Sequence, residues 1–187
     1  MDDLYKLNPE DIKIEIFNKN YDVSDFESYE KELVKFLQED ALENQEQKLS
    51  VTFLWFYGGK IVSYITLLND KINLAGNLKE FFREKEIHYN SLPALKIGRI
   101  CVDNRFLRKK LGSYMVYFAI IIAKKISENM AGCRFITLDA KNNENVGFNP
   151  INFYKKLGFK KLKTKTNSTP MYFDLKTKIK FDFTGFS

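Results

Sequence analysis

The chain has 187 residues, 44% of them apolar, including 17 Phe and 10 Tyr, which is enough to fill the core of one α/β domain, with a core over about 11–176 and a tail over 177–187. No stretch approaches the ~18 apolar residues of a membrane span, and the start Met1-Asp2-Asp3-Leu4 lacks the pattern of a secretory signal, so a cytoplasmic protein with no membrane partner is expected. Cys101 and Cys133 lie in apolar, strand-like runs and His88 is the one histidine, so buried thiols and no metal are expected; the net charge of +6 permits nucleic-acid contact without requiring it.

Ile12, Ile14 and Ile16 alternate with Lys13 and Glu15, which predicts a strand over 11–17 with one apolar face. Ser24 with Glu27 three residues later has the form of a capping box, and Phe26, Tyr29, Leu33, Phe36 and Leu37 follow at helical spacing, so a helix is expected from Asp25 into the forties. Residues 51–57 and 60–68, rich in β-branched and aromatic side chains, flank Gly58-Gly59 and read as a hairpin. A charged helix over 78–86 precedes a buried central strand over 94–102. Leu111, Met115, Phe118, Ala119, Ile122 and Ile126 then predict a helix over 110–129. A strand over 135–139, a short helix over 150–157 opened by Pro150, and strands over 159–162 and 171–175 complete the chain. The succession implies a mixed sheet with helices on both faces.

Charge is unevenly placed. Residues 22–47 hold nine acids against Lys31 and Lys35, and residues 155–187 hold nine lysines against Asp174 and Asp182.

Chemistry is concentrated where the central strand Lys96-Ile97-Gly98-Arg99-Ile100-Cys101-Val102 runs into Asp103-Asn104-Arg105-Phe106-Leu107-Arg108-Lys109-Lys110-Leu111-Gly112-Ser113. A buried strand, a basic loop and a helix start present unpaired amides and a partial positive charge, which together suit a diphosphate.

Ile100-Cys101-Val102 with Phe106 to Ser113 resembles the acetyl-CoA loop of the GNAT family of N-acetyltransferases, and Asn152-Phe153-Tyr154-Lys155-Lys156-Leu157-Gly158-Phe159 resembles that family's other signature. The resemblance implies a single N-acetyltransferase domain of class α/β (α+β), with a mixed, mostly antiparallel central sheet flanked by helices. It implies acetyl-CoA as co-substrate, with the main chain of Ile100, Cys101 and Val102 against pantetheine and the amides of Leu107, Arg108, Lys109, Lys110, Leu111, Gly112 and Ser113 on the pyrophosphate. Leu107 and Lys110 depart from the usual Gln/Arg-x-x-Gly-x-Gly/Ala pattern, which Gly112 keeps. Tyr154 corresponds to the general acid that protonates the departing thiolate, and a phenol with an ordinary pKa of about 10 suits that task. Among Asn142, Asn143, Asn145 and Asn149, Asn149 is the candidate amide for pantetheine, while Glu39 and Glu43 are carboxylates that could receive the amine proton through water.

The acidic segment lies in the helix that lines the acceptor side in this family, so a cationic small amine or basic peptide terminus is the expected acceptor. The run Leu92 to Ile100 is similar to the strand entry of toxin-type acetyltransferases acting on aminoacyl-tRNA, which makes tRNA the alternative partner; a non-catalytic acyl-CoA-binding module is another. A homodimer is compatible with all three.

Overall fold

Gly58 and Gly59 fix the first turn of the fold. In the computed structural model, which describes residues 7–141, 149–162 and 167–177, β2 (Val51–Tyr57) and β3 (Lys60–Asn73) pair antiparallel, and the two glycines between them have φ 55° and 77°. Successive positive φ values give the turn whose twist matches a hairpin, and glycine adopts them without strain. The strand β1 (Lys13–Ile16) pairs with β2; β4 (Ser91–Val102) pairs in parallel with β5 (Phe135–Lys141); and β7 (Ser168–Asp174) pairs antiparallel with both β5 and the two-residue β6 (Lys160–Lys161). The sheet runs β1-β2-β3-β4-β5-β7-β6, seven strands, mixed and mostly antiparallel, in an α/β fold.

Contacts group the described residues into two compact units, 7–68 with 98–118, and 69–97 with 119–141, 149–162 and 167–177. In the first unit, Phe17, Phe26, Phe36, Leu37, Ala41, Leu54, Tyr64 and Cys101 form one buried cluster. Its helical segment comprises α1 (Lys31–Lys35), a π turn at Phe36–Asp40 and α2 (Ala41–Glu46). The predicted start at Asp25 is therefore corrected to Lys31. Ser24 caps no helix: its N–H donates to Asp22, and its carbonyl accepts from Gln38. β1 is shorter than predicted and its alternation fails, for Ile16 at this sheet edge is 52% exposed and Phe17, just past the strand, takes the core position.

The second unit buries Ile72, Leu74, Phe82, Ala94 and Phe135 together, with α3 (Gly76–Arg83) contributing Phe82. Arg134 forms a two-pronged ion pair with Asp174 and lies over the rings of Phe82 and Phe135. Cys133 precedes β5 instead of lying within a strand, and both cysteines are free. The helix α4 (Leu111–Asn129) runs through both units and buries Leu111, Met115, Val116, Ala119, Ile120 and Ala123, a stripe slightly rotated from the predicted one. The short helix α5 (Pro150–Lys156) belongs to the second unit.

Candidate active site

The parallel ladder between β4 and β5 runs from Ala94 and Phe135 to Ile97 and Leu138, and β4 goes on to Val102. Ile100 and Val102 are half-buried, whereas the side chain of Cys101 lies in the first unit's core. Burial pushes that thiol up to about 11, so it stays protonated and non-nucleophilic at neutral pH.

Asp103 then ends the strand with no exposed surface. Its carboxylate accepts from the Arg105 N–H at 2.9 Å, from Arg105 Nε at 2.8 Å and Nη2 at 2.7 Å, and from the Glu27 N–H at 3.0 Å. Burial by itself would raise the pKa of this carboxyl, but the Arg105 fork and the two backbone donors outweigh it and hold the group below its ordinary value. A single 3-10 turn, Asn104–Phe106, leads to the loop.

In the loop, Arg108 has φ 61° and Lys110 has φ 62°. Left-handed residues are a component of the backbone nests that bind anions. Lys110 thus keeps the backbone conformation that glycine normally supplies at this place in the family pattern, at a cost of about 1 kcal/mol. Arg108 and Lys110 are exposed, Lys109 is half-buried and Leu107 is 42% exposed. The first helical hydrogen bond of α4 runs from the Tyr114 N–H to the Lys110 carbonyl, and no acid occupies the first turn, so the positive end of a 19-residue helix is not offset locally. Leu111 is 1% exposed, so its side chain belongs to the core and only its main chain can serve a ligand; Gly112 and Ser113 are half-buried.

In the second unit, a short helix fixes Tyr154 by being stopped at both ends. Asn149 caps α5 by accepting from the Asn152 N–H at 2.9 Å, and Pro150 follows in the first turn. At the other end Gly158, φ 89°, donates to the Lys155 carbonyl while Phe159 donates to that of Tyr154, a Schellman closure. That closure brings Phe159 against the Tyr154 ring, with centroids 5.7 Å apart, and Phe153 lies at 5.0 Å on another side. Tyr154 is 7% exposed, and desolvation raises its phenol far above the ordinary value. Asn149 spends its side-chain oxygen on the cap; Asn142, Asn143 and Asn145 lie outside the described residues.

The acidic segment presents Glu39, Asp40, Glu43 and Glu46 at the surface, with Glu39 3.6 Å from Lys35. Phe36 and Leu37 anchor the π turn in the core, and the Arg99 guanidinium lies 5.0 Å from the centre of the Phe36 ring. Among the described residues no group of His, Cys, Asp and Glu could hold a metal ion, and no helix is long and apolar enough to cross a membrane. The residues that sequence reasoning passed over are Asp103, Asn104 and Arg105. Their signal was an Asp-Asn pair directly after a strand, side chains suited to bonding nearby backbone.

The model of the Acetyltransferase (GNAT) family matches residues 14–159. The chain belongs to that family. It is an acyltransferase of the GNAT type, and the loop and the Tyr154 helix both fall inside the matched stretch. Solved structures similar to it include AtaT complexed with acetyl-methionyl-tRNAfMet, 24% identical with a TM-score of 0.74 over 89% of this chain and 96% of that one. A tyrosine-to-phenylalanine mutant of KacT is 21% identical, TM-score 0.73, over 89% and 96% of the two chains. AtaTR bound with AcCoA is 24% identical, TM-score 0.72, over 89% and 95%. No curated protein sequence matches the chain.

Proposed function

We propose that this GNAT enzyme transfers the acetyl group of acetyl-CoA directly to a primary amine, with Tyr154 as general acid. The observation that carries the reading is the loop before α4, where two left-handed residues, three cationic side chains and an unopposed helix N-terminus form a cradle of the right chemistry for a pyrophosphate. Acetyl-CoA, when bound, supplies the acyl group as an activated thioester. The amides from Leu107 to Ser113 take the phosphate charge, with Arg108, Lys109 and Lys110 adding to it. The main chain of Ile100, Cys101 and Val102, beyond the ladder with β5, faces pantetheine. Asn149 has its amide nitrogen left for the same group once its oxygen is used in the cap. Tyr154, kept neutral by burial, holds a proton for the departing thiolate, and the protonated Cys101 thiol favours direct attack over an acyl-cysteine intermediate.

The acceptor in this reading is a cationic amine or a basic peptide terminus, because the exposed acids of the π turn and α2 attract cations and repel polyanions. Glu39 and Glu43 are two of the carboxylates on that surface that could take up the amine proton through water. Calorimetric titration with acetyl-CoA tests the cofactor assignment: binding by the wild type that is lost in a folded Gly112→Glu variant supports it, and a folded wild type that does not bind would end it.

One observation favours a second acceptor, the amine of an aminoacyl-tRNA: a structure of similar fold, AtaT, was solved with acetyl-methionyl-tRNAfMet. A gel shift with charged tRNA at moderate salt separates the two. Retention of tRNA, relieved by reversing lysines in the 155–187 segment, would favour the second reading; no shift favours the cationic acceptor.

A further inference from the structure

Residues 25–29 have no regular structure, yet four hydrogen bonds tie them to Asp103, Asn104 and Arg105. The Glu27 N–H donates to Asp103 Oδ2 at 3.0 Å, and the Asn104 N–H to the Glu27 carbonyl at 2.9 Å. The Tyr29 N–H donates to Asn104 Oδ1 at 3.0 Å, and Arg105 Nη2 to the Asp25 carbonyl at 2.9 Å. The bonded segment leads within two residues into α1 and the acidic surface, while the residues that bond it lead straight into the loop at Leu107. The Asp103 carboxylate is fully buried and Arg105 is its counter-ion, so the fork cannot open without leaving a buried charge unpaired. Arg105 Nη2 therefore bonds both the Asp103 carboxylate at the base of the loop and the Asp25 carbonyl of the segment.

We propose that Asp103 and Arg105 are positioning residues that couple the cofactor loop to the acceptor-side segment, so that filling the loop with acetyl-CoA tightens residues 25–29 before the acceptor arrives. The inference rests on the loop being the acetyl-CoA site. Its physical basis is linkage: a ligand that steadies Arg108 to Ser113 reduces the freedom of the turn at Asn104–Phe106, and each bond from that turn to 25–29 becomes harder to open. A merely structural pin would hold the segment equally with the loop empty or full.

Hydrogen exchange read at single amides, with acetyl-CoA as the probe, tests this. In the wild type, saturating acetyl-CoA should slow exchange of the Glu27 and Tyr29 amides by about tenfold, the scale of one hydrogen bond made firmer. Arg105→Ala strips the buried Asp103 carboxylate of its counter-ion and so lowers stability; with its folding verified by circular dichroism, it should still bind acetyl-CoA while losing that slowing. Arg105→Lys, which keeps the charge without the fork, should recover only part of it. Wild-type protection that is the same with and without acetyl-CoA overturns the coupling while leaving the cofactor reading intact, as does an Arg105→Ala variant with undiminished slowing. A wild type that binds no acetyl-CoA overturns both.

Discussion

Lys110 carries a side chain through φ 62°, where an L residue loses about 1 kcal/mol relative to its preferred conformations. Lys110→Gly removes that strain but adds backbone freedom to the unfolded chain, about 0.5–1 kcal/mol in the opposite direction. The net expectation is a gain in stability of no more than about 0.5 kcal/mol, read as a small upward shift of the urea midpoint. An exposed ammonium contributes weakly in water, so acetyl-CoA affinity should fall by less than about tenfold in the same variant. At Tyr154 the argument concerns proton availability. A general acid must be protonated to act, and burial raises this phenol, so the alkaline limb of kcat that reports it should lie above the ordinary tyrosine value of about 10. Tyr154→Phe should lower kcat about 100-fold at neutral pH and change the Kd for acetyl-CoA little, as followed by thiol release and calorimetry. Equal turnover by both proteins would remove Tyr154 from the mechanism.

At the scale of elements, α5 is too short to hold its own shape and depends on Asn149 at one end and Gly158 at the other. A Cβ added at Gly158 would meet Phe173 Cε2 at 3.1 Å, on a backbone at φ 89° that alanine rarely adopts. Gly158→Ala should therefore destabilise the protein by about 1–3 kcal/mol and reduce kcat, since the closure that seats Phe159 against Tyr154 is lost. Thermal unfolding and thiol release measure the two effects. This helix, the Gly58-Gly59 hairpin and the central strand were legible in the sequence because local chemistry decides them: proline and asparagine start α5, glycines turn the hairpin, and a run of apolar residues fills β4. The start of α1 was not legible. Ser24 and Glu27 carry a local helix signal, but the backbone from Asp25 to Tyr29 is claimed by Asp103, Asn104 and Arg105, more than seventy positions along the chain. The loop conformation was likewise hidden, because Lys110 does not advertise a left-handed φ as glycine would. Tyr154 was found through its motif, while its burial depends on Phe153 and Phe159 closing around it.

At the scale of the whole molecule, pH acts through the buried Asp103 carboxylate and through total charge. Asp103 titrates below its ordinary value in the folded chain, so near the ordinary value the unfolded chain binds the proton more readily. The stability it contributes is complete above the unfolded value and is lost as pH falls through the folded one. Over the same range the 24 Asp and Glu lose charge, and the net +6 rises toward the full 30 of Lys and Arg, which adds self-repulsion. The two causes separate by salt, which screens repulsion between distant charges but barely reaches a carboxylate with no exposed surface. The urea midpoint of the wild type should therefore fall as pH drops below the ordinary carboxylate value of about 4, and added salt should restore only part of it. Asp103→Asn, which keeps an acceptor for the Glu27 N–H but loses the charge facing Arg105, should be less stable at pH 7 and show a shallower fall. If salt restored the wild type completely, or if the Asn variant fell as steeply, acid sensitivity would belong to total charge and the Asp103 fork would have no special share in it.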